Sequence, residues 1–504
     1  TCLPDKPTDS SNTYWLIHGA RTEVGDSTQL YLDRFGAPQR IFNALGDSTV
    51  MLRADARFPA LVTQLRRANG FTSTAAYDAR GNLQQSTDLS PFGTTVNVTT
   101  SFKWDTTWDF VARIDRSGGL PSDTMSYDTH GNRLWQQTGP DASRRVTFTY
   151  EPTLLLVASV QTALQASLGS TVAQRIGYNV ATGNVATLTT PNGLVTHVYR
   201  DVYGRDTLVT SPLDSAQTLL RRDSTIYDAA DRPTRTVSIG PARIGQSAAE
   251  STLVVTQYDQ EGNVVSTRRS ALPDLAKIGT VRDSAVYDFA HRRVEAIAAD
   301  SVAESMVYDP AGNVVSITTR RGQQIAVSYD ALNQLKRRVA ASVAYPKVTE
   351  FLGGAVRIYP QYSNTSGGGL TLPSDTAVFS YDAAGHLTEA DNNAALVRRS
   401  YLPGGLVATD TQVVRTYVTD PTVWGDTLQH RYGLRYTYDN AGRRTVLQHP
   451  APQAAGTTGT TTYGYDPVMG QLKQITDPLG NVFVLTEDVD GRPVRTQYPG
   501  GVRD

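Results

Sequence analysis

Hydrophobic and polar residues alternate in short segments along most of the chain. The second residue before a recurring tyrosine is usually apolar, as at Ala285, Met306 and Val327. A period of two places this residue and the tyrosine on the same face of a β-strand. After a short turn, segments such as 314–319 are rich in Val, Ile and Thr, which suit a second strand. The pattern therefore predicts a succession of β-hairpins.

The tyrosine opens a motif that repeats along the chain. Ten of the 25 tyrosines are followed by aspartate, whereas an ordinary Asp frequency gives about one or two. Three successive copies stand 21 residues apart, and the clearest runs Tyr-Asp-Pro-Ala-Gly-Asn-Val from residue 308. We predict a structural repeat motif made of Tyr77, Asp78, Gly81, Tyr127, Asp128, Gly131, Tyr227, Asp228, Tyr258, Asp259, Gly262, Tyr287, Asp288, Tyr308, Asp309, Gly312, Tyr329, Asp330, Tyr381, Asp382, Gly385, Tyr438, Asp439, Gly442, Tyr465, Asp466 and Gly470.

The glycine position of the motif indicates the backbone conformation of the turn. Where glycine is absent from a complete copy, the residue is Asp231, His291 or Asn333. Asp, His and Asn are the other residues that best tolerate a positive φ. We therefore expect a left-handed residue there, and we expect the aspartate three residues earlier to accept backbone N–H bonds across the turn.

The spacing of the copies favours one continuous array. A single hairpin is marginally stable in water, so the units must pair side by side into a long sheet. A spiral, a barrel-like shell or a propeller would satisfy this requirement, and a one-hairpin period of roughly 20 to 31 residues favours the spiral over four-stranded blades. We predict an all-β fold, with residues 1–29 as strands leading in from a cut N-terminus and residues 30–504 as a repeat array that is incomplete at its C-terminus. Segments 360–375 and 450–462 are expected to be exposed loops.

Composition excludes several function classes. The chain has 47 basic and 48 acidic residues, which gives no field that favours nucleic acid or an anionic membrane. Its single cysteine, Cys2, permits no internal disulfide and no thiolate metal cluster. No apolar run reaches the length of a membrane span. Packing must therefore supply the stability.

The candidate chemistry is sparse. An aspartate present in every hairpin is a turn component, the seven histidines lack zinc-site spacing, and no nucleophile or phosphate-binding motif occurs. We therefore expect no catalytic residue, no cofactor and no metal, and predict that the chain is not an enzyme. Trp104, Trp108 and Trp135 are candidate glycan contacts, although such rings more often pack between strands.

These motif copies, from residue 30 to residue 504, resemble the RHS or YD-repeat family. The family includes bacterial Rhs polymorphic toxins, the shell component of insecticidal toxin complexes and the YD shell of teneurins. The resemblance implies a large hollow β-shell, which in the toxin branches encloses a C-terminal toxin domain. Two family features are not found: the C-terminal core segment with its self-cleavage site, which Asp477–Gly480 resembles only superficially within the array, and a following toxin domain.

The resemblance leads to a hypothesis of containment. The expected partners are an enclosed C-terminal toxin domain or cargo polypeptide and neighbouring shell segments of the same full-length protein, with no nucleic acid and no membrane span in this stretch. The expected location is outside a bacterium or in its envelope, with the signal elsewhere. The alternative is a cell-surface adhesion or recognition module that binds glycans or a protein partner, through loops such as 360–375.

Overall fold

The computed structural model describes residues 15–18, 28–33, 35–93, 95–169, 171–242, 249–272, 281–345, 350–352, 355–357, 370–372, 374–417, 427–450, 459–488 and 490–501. Strands of three to twelve residues account for most of these. The first fourteen are β1 Trp15–His18, β2 Gln29–Leu32, β3 Pro38–Phe42, β4 Ser48–Leu52, β5 Gln64–Arg66, β6 Thr72–Tyr77, β7 Leu83–Leu89, β8 Val98–Trp104, β9 Val111–Arg116, β10 Asp123–Tyr127, β11 Arg133–Thr138, β12 Arg145–Tyr150, β13 Val157–Gln161 and β14 Gln174–Tyr178.

The middle strands include the longest unbroken run of motif copies. They are β15 Val185–Thr189, β16 Val195–Arg200, β17 Asp206–Pro212, β18 Leu220–Tyr227, β19 Pro233–Ala242, β20 Ala249–Tyr258, β21 Val264–Leu272, β22 Val281–Tyr287, β23 Arg293–Ile297, β24 Ala303–Tyr308, β25 Val314–Thr318, β26 Gln324–Tyr329 and β27 Leu335–Ala340.

The last strands follow an interruption of the array. They are β28 Val343–Tyr345, β29 Glu350–Leu352, β30 Ala355–Arg357, β31 Leu370–Leu372, β32 Asp375–Tyr381, β33 Leu387–Asp391, β34 Ala395–Tyr401, β35 Val407–Tyr417, β36 Thr427–Tyr438, β37 Arg444–Gln448, β38 Thr460–Tyr465, β39 Leu472–Thr476, β40 Val482–Glu487 and β41 Pro493–Gln497. Among the described residues, the helical elements are α1 Ala163–Leu168 and the short 3-10 turns Ala142–Arg144 and Pro499–Gly501.

In the part of the chain that the structure describes, thirty-seven strands form one sheet in which each strand pairs antiparallel with the next along the chain. The predicted all-β ribbon of hairpins is therefore confirmed. Strands β28 to β31 leave the main sheet, because β28 pairs with β31 and β29 with β30 while β27 pairs directly with β32. The inserted segment thus lengthens one turn of the ribbon without breaking the sheet.

The two predicted loops are partly strand. Residues 370–372 of the segment 360–375 form β31, and residues 460–462 of the segment 450–462 begin β38. These parts of the prediction were wrong, because strand pairing overrides the weak local signal of short Thr and Leu segments. Residues 360–369 and 373 of the first segment and residues 451–458 of the second lie outside the described residues. So do residues 1–14 and 19–27 of the predicted leading strands, of which β1 and the start of β2 are seen.

Turns at the two edges of the ribbon differ. The turn after each even-numbered strand of the repeats carries the Tyr-Asp motif, and we call this the YD edge. The turn after each odd-numbered strand lies at the other side, the plain edge. The sheet pairing places all YD turns along one side of the ribbon.

Late YD turns lie against early plain turns, more than 300 residues away in sequence. The backbone N–H of Gly404 donates to the carbonyl oxygen of Pro91 over 2.7 Å. The side chain of Asn69 donates to the carbonyl oxygen of Pro403 over 3.3 Å. We call this line of contacts the seam.

The seam runs in the same direction along both segments. Plain turns meet YD turns in the same order along the chain. The plain turns follow β5, β7, β9, β11 and β13, and the YD turns follow β34, β36, β38 and β40. At its far end, Asp490 accepts bonds from the Thr162 hydroxyl over 2.6 Å and from the Leu164 N–H over 2.9 Å. A ribbon that simply folded back would pair the turns in opposite order, so the ribbon coils.

One coil is wide enough to be hollow. Twenty-five strands of the main sheet separate the turn after β7 from the turn after β36. At about 4.8 Å between strands, the circumference is about 120 Å and the diameter roughly 40 Å. Side chains fill the interior of a barrel with about eight strands, but not of one this wide.

Burial is correspondingly slight on both faces of the sheet. Among the described residues, the buried apolar side chains are Leu32, Phe71, Ala163, Ala173 and Ile325, and no large side chain is fully buried. A solid centre, as in a packed barrel or propeller, would bury far more. The fold is a hollow β-shell coil, as predicted.

The tyrosine–aspartate ladder as the candidate functional site

Each YD turn is a short loop closed by a left-handed residue. The residues that replace glycine have φ values of 61° at Asp231, 60° at His291 and 59° at Asn333. Gly312 has the same conformation with φ 88°. The sheet register shifts at the tyrosine, for example between Val307 and Tyr308, so a β-bulge stands at the base of the turn.

The aspartate of the motif closes the turn from inside. In the copy at Asp288, one carboxylate oxygen accepts the N–H groups of Ala290 and Arg292, each over 2.9 Å. The other oxygen accepts Nε of Arg292 over 2.8 Å. The Arg292 backbone N–H and then its guanidinium hold the pKa of Asp288 below its ordinary value of 3.8. The charged carboxylate therefore belongs to the folded turn.

The tyrosine joins its hairpin to the hairpin before it. The Tyr329 hydroxyl donates to the carbonyl oxygen of Val314 over 3.1 Å. Val314 itself is the strand partner of Tyr308, the preceding tyrosine. Burial of the phenol raises the pKa of Tyr329 above its ordinary value, so this hydroxyl remains a donor at neutral pH.

This bond recurs without a break from β8 to β38. Each residue in the tyrosine position donates to the carbonyl of the residue that pairs with the previous one. The tyrosines that do so are Tyr127, Tyr150, Tyr178, Tyr227, Tyr258, Tyr287, Tyr308, Tyr329, Tyr381, Tyr401, Tyr438 and Tyr465. We call this series the ladder.

Residues one position beyond the left-handed residue add a second link between neighbouring turns. Arg292 donates to the carbonyl oxygen of Asp309 over 3.0 Å, and its guanidinium lies 4.7 Å from the ring centre of Tyr308. Asn313 instead donates to the side chain of Asn333 over 2.8 Å. A cation over an aromatic ring and a hydrogen bond each favour the same alignment of adjacent turns.

The residues that replace glycine have a further role, which sequence reasoning missed. Asp231 accepts a bond from Arg205 over 2.6 Å, and His291 lies 3.1 Å from the amide nitrogen of Asn263. Asn333 accepts from Asn313 in the same manner. Tolerance of positive φ is therefore only part of the reason for Asp, His or Asn at this position. The missing signal was a pairing with a residue one repeat earlier.

A family model described as RHS Repeat matches residues 308–343. This stretch contains the motif copies at Tyr308 and Tyr329, whose turn, bulge and hydroxyl bond recur along the rest of the ribbon. Residues 308–343 are thus an RHS repeat. The predicted RHS/YD-repeat resemblance is confirmed for this stretch.

Solved structures are similar to this chain over nearly its whole length. The crystal structure of TcdB2-TccC3-TEV matches with a TM-score of 0.48 and 12% identity, over 99% of this chain and 31% of that chain. A Tc holotoxin pore of Photorhabdus luminescens matches with a TM-score of 0.49 and 11% identity, over 96% of this chain and 27% of that one. The chain thus spans less than a third of the length of these structures. No curated protein sequence matches it.

The ladder also accepts donors other than tyrosine, and sequence reasoning gave these copies no such role. Trp104 stands in the tyrosine position, and its ring nitrogen donates to the carbonyl oxygen of Leu83 over 2.8 Å. Arg200 occupies the same position and donates to the carbonyl oxygen of Val185. Tyr401 lacks the following aspartate, yet it donates to Leu387 over 2.8 Å. The tyrosine position therefore requires a side chain that donates a hydrogen bond and is long enough to reach the carbonyl oxygen.

The three candidate glycan-binding tryptophans do not all lie on one face of the sheet. Trp104 lies in the ladder, on the face of the tyrosines. Trp108 donates to the carbonyl oxygen of Asp128 over 3.2 Å and packs over Gly131. Trp135 pairs with Ser126, one residue before Tyr127, so it projects from the opposite face, where Arg145 lies 4.1 Å from its ring centre. Each ring has a structural contact of its own.

Two further expectations concern metal binding and membrane-spanning segments. In the part of the chain that the structure describes, no group of three or more His, Cys, Asp or Glu side chains is placed to hold a metal ion. Within the same residues, none of the helices has the length and apolar character needed to cross a membrane. The aspartates of the complete motif copies are engaged in their turns.

Removal of one hydroxyl from the ladder has an expected local cost. In Tyr329→Phe, the Val314 carbonyl loses its donor, and we expect the free energy of local opening of the β24–β27 hairpins to fall by about 1 kcal/mol. Hydrogen exchange measured by mass spectrometry over residues 303–340 would show it. Tyr463→Phe is the control, because the Tyr463 hydroxyl has no hydrogen-bond partner among the described residues. Equal exchange in both variants would contradict the role of the ladder.

Proposed function

We propose that the chain is part of the wall of a hollow shell that encloses a polypeptide, either a toxin domain or another cargo. The observation that carries this proposal is the coil, in which 25 strands lie between seam-paired turns while both faces of the sheet stay accessible. A wall with this curvature surrounds a space that its own side chains do not fill. The hydrogen bonds of the ladder and the turns stabilise this wall, which has no packed centre.

The mechanism of the proposed containment is steric. Adjacent strands are about 4.8 Å apart and hydrogen-bonded throughout the ribbon, which leaves no gap that admits a folded domain or a helix. At the seam, backbone and side-chain contacts close the boundary between the two coils. An enclosed polypeptide would then meet its targets only after the wall opened.

The proposed wall is not catalytic. The aspartates that the motif repeats accept backbone N–H bonds in their own turns, as at Asp288 and Asp477. A carboxylate committed to two or three bonds in an exposed turn is a structural group. We assign the chain no reaction, no cofactor and no metal.

The proposed partners follow from the proposed wall. They are an enclosed C-terminal toxin domain or cargo polypeptide, together with neighbouring shell segments of the same full-length protein. We place the protein outside a bacterium or in its envelope, where an RHS shell of the toxin type acts. The adhesion alternative would need glycan-array binding that Trp108→Ala abolishes and Trp135→Ala does not.

Protection of a reporter polypeptide tests the containment proposal. A disordered segment with one protease site is fused after Asp504, and its cleavage rate is compared with that of the free segment and of the same fusion carrying Gly118→Val, which opens the seam. The proposal predicts slow cleavage in the first fusion and fast cleavage in the other two samples. Cleavage at the free rate in a fusion whose seam is shown to be closed would rule out containment of this segment.

A further inference from the structure

A cavity of about 860 Å³ lies on the face of the sheet opposite the ladder tyrosines, over strands β20, β21 and β22. Its lining includes two apolar side chains of β20 together with Arg268, Arg282, Ser266, Ser270 and Gln257. Gln257 precedes Tyr258 in β20 and pairs with Ser266, so these residues project away from the tyrosines. The volume is in the range of small-molecule sites. We call it the arginine cavity.

Two arginines face each other in the arginine cavity. Arg268 of β21 and Arg282 of β22 are direct cross-strand partners, with Cβ atoms about 5 Å apart. Like charges in this relation repel. Arg282 donates from Nε to the Ser266 hydroxyl over 3.3 Å, and it has no ion pair with an acid among the described residues. A negative charge between the two guanidinium groups would offset the repulsion.

Arginines on the two faces of this part of the sheet differ in their surroundings. On the tyrosine face, Nε of Arg200 lies 2.7 Å from a carboxylate oxygen of Asp206. Nε of Arg221 lies 3.0 Å from a carboxylate oxygen of Asp223 on the same face. On the opposite face, the described residues of β16 to β22 include no aspartate or glutamate, and the arginines there are Arg222, Arg235, Arg268 and Arg282. This face is therefore positively charged, although the chain as a whole is nearly neutral.

Two serine hydroxyls of the arginine cavity are buried. Ser266 is 5% exposed and Ser270 is 7% exposed. Ser266 accepts the bond from Arg282, whereas the Ser270 hydroxyl has no hydrogen-bond partner among the described residues. A buried hydroxyl normally has a partner. Ser270 lies two residues from Arg268 on the same face, so an anion bound between the arginines would also lie beside Ser270.

We propose that the arginine cavity binds the phosphate group of a small organic phosphate. A phosphate ester carries about two negative charges at neutral pH, which match two guanidinium groups, whereas a carboxylate carries one. Guanidinium and hydroxyl donors suit its oxygens. Gln257 and the apolar side chains of Leu253 and Val255 line the space that remains for the organic part. The proposal does not depend on containment of a cargo.

Calorimetric titration with inorganic phosphate tests the site, and acetate is titrated at the same ionic strength. We expect phosphate to bind and acetate to bind about tenfold more weakly or less, because one carboxylate cannot balance both arginines. Arg282→Gln is expected to weaken phosphate binding about tenfold or more, because a charge-assisted hydrogen bond is lost.

Arg269→Gln is the matched control for this titration. Arg269 is next to Arg268 in β21, but it lies on the tyrosine face, where it pairs with Val254. The proposal predicts that this substitution leaves phosphate binding unchanged. A protein that binds no phosphate, equal affinity for phosphate and acetate, or equal weakening by the two substitutions would overturn the proposal.

Hydrogen exchange with and without phosphate locates the bound anion. We expect slower exchange in residues 264–272 and 281–287 and no change in residues 375–401, where arginines also occur. Ser270→Ala keeps both charges, and it is expected to weaken phosphate binding by a smaller factor than Arg282→Gln. Equal protection of the two regions would mean that phosphate binds arginines generally, which would contradict a site in the arginine cavity.

Discussion

Gly118→Val is expected to separate the two coils of the ribbon. A Cβ atom at residue 118 would lie 2.5 Å from the carbonyl oxygen of Asn440, 2.7 Å from its carbonyl carbon and 2.9 Å from the nitrogen of Ala441. These are backbone atoms of a turn that the ladder holds in place, so they cannot rotate aside as a side chain would. The seam must therefore open at residue 118.

Hydrogen exchange at the seam measures this opening. We expect exchange in residues 439–443 and 488–492 to become about tenfold faster or more in Gly118→Val, because their partners across the seam are withdrawn. Gly312→Val is the matched control, with φ 88° against 81° at Gly118 and open space around the new side chain. Both variants carry the same backbone strain. Equal exchange at the seam in the two variants would refute the contact.

Asp288→Ala is expected to release its turn and to loosen the next one. The substitution removes the acceptor for two backbone N–H groups and for the guanidinium of Arg292. Arg292 then loses the anchor that holds it over Tyr308 and near the carbonyl of Asp309. We expect exchange to rise about tenfold in residues 288–293 and by a smaller factor in residues 308–314.

Asp288→Asn separates the two contributions of the carboxylate. The amide oxygen can still accept backbone N–H bonds, whereas the charge that pairs with Arg292 is lost. We expect an intermediate effect in residues 288–293 and the full effect in residues 308–314. If Asn behaved as Ala in the first segment, the backbone bonds would not be the main contribution.

Acid should act on the turns of Asp228 and Asp288 together. The pKa values of Asp228 and Asp288 are held below 3.8 by the backbone N–H and guanidinium of the arginine four residues later. A depressed pKa stabilises the fold above the unfolded value, and that stabilisation is lost as pH falls through the folded value. Thermal melting is expected to be constant from neutral pH to about pH 4 and to fall below it. Constant melting down to pH 2 would contradict this.

The repeat and its turn could be predicted because their determinants are local. The replacement of glycine by Asp231, His291 and Asn333 indicated a left-handed residue, and φ is close to 60° at all three. The alternation before each tyrosine indicated a strand. Both signals span fewer than ten residues, which is the range over which sequence pattern and backbone geometry are coupled.

The ladder and the seam could not be predicted because their partners are distant. The tyrosine donates to a backbone carbonyl, which leaves no side-chain signature, and Trp104 or Arg200 can replace it. Seam partners such as Asn69 and Pro403 are 334 residues apart. Whether such residues meet depends on how many strands make up one coil. That number is set by the sum of the twists between all neighbouring strands.

Cryo-electron microscopy of the chain would show directly whether one ribbon coils around an empty centre. We expect a ring of about 25 strands, roughly 40 Å across, with no density in its centre and one line of turn-to-turn contacts on its wall. Separate four-stranded blades around a packed axis, or a ribbon whose ends do not meet, would contradict it.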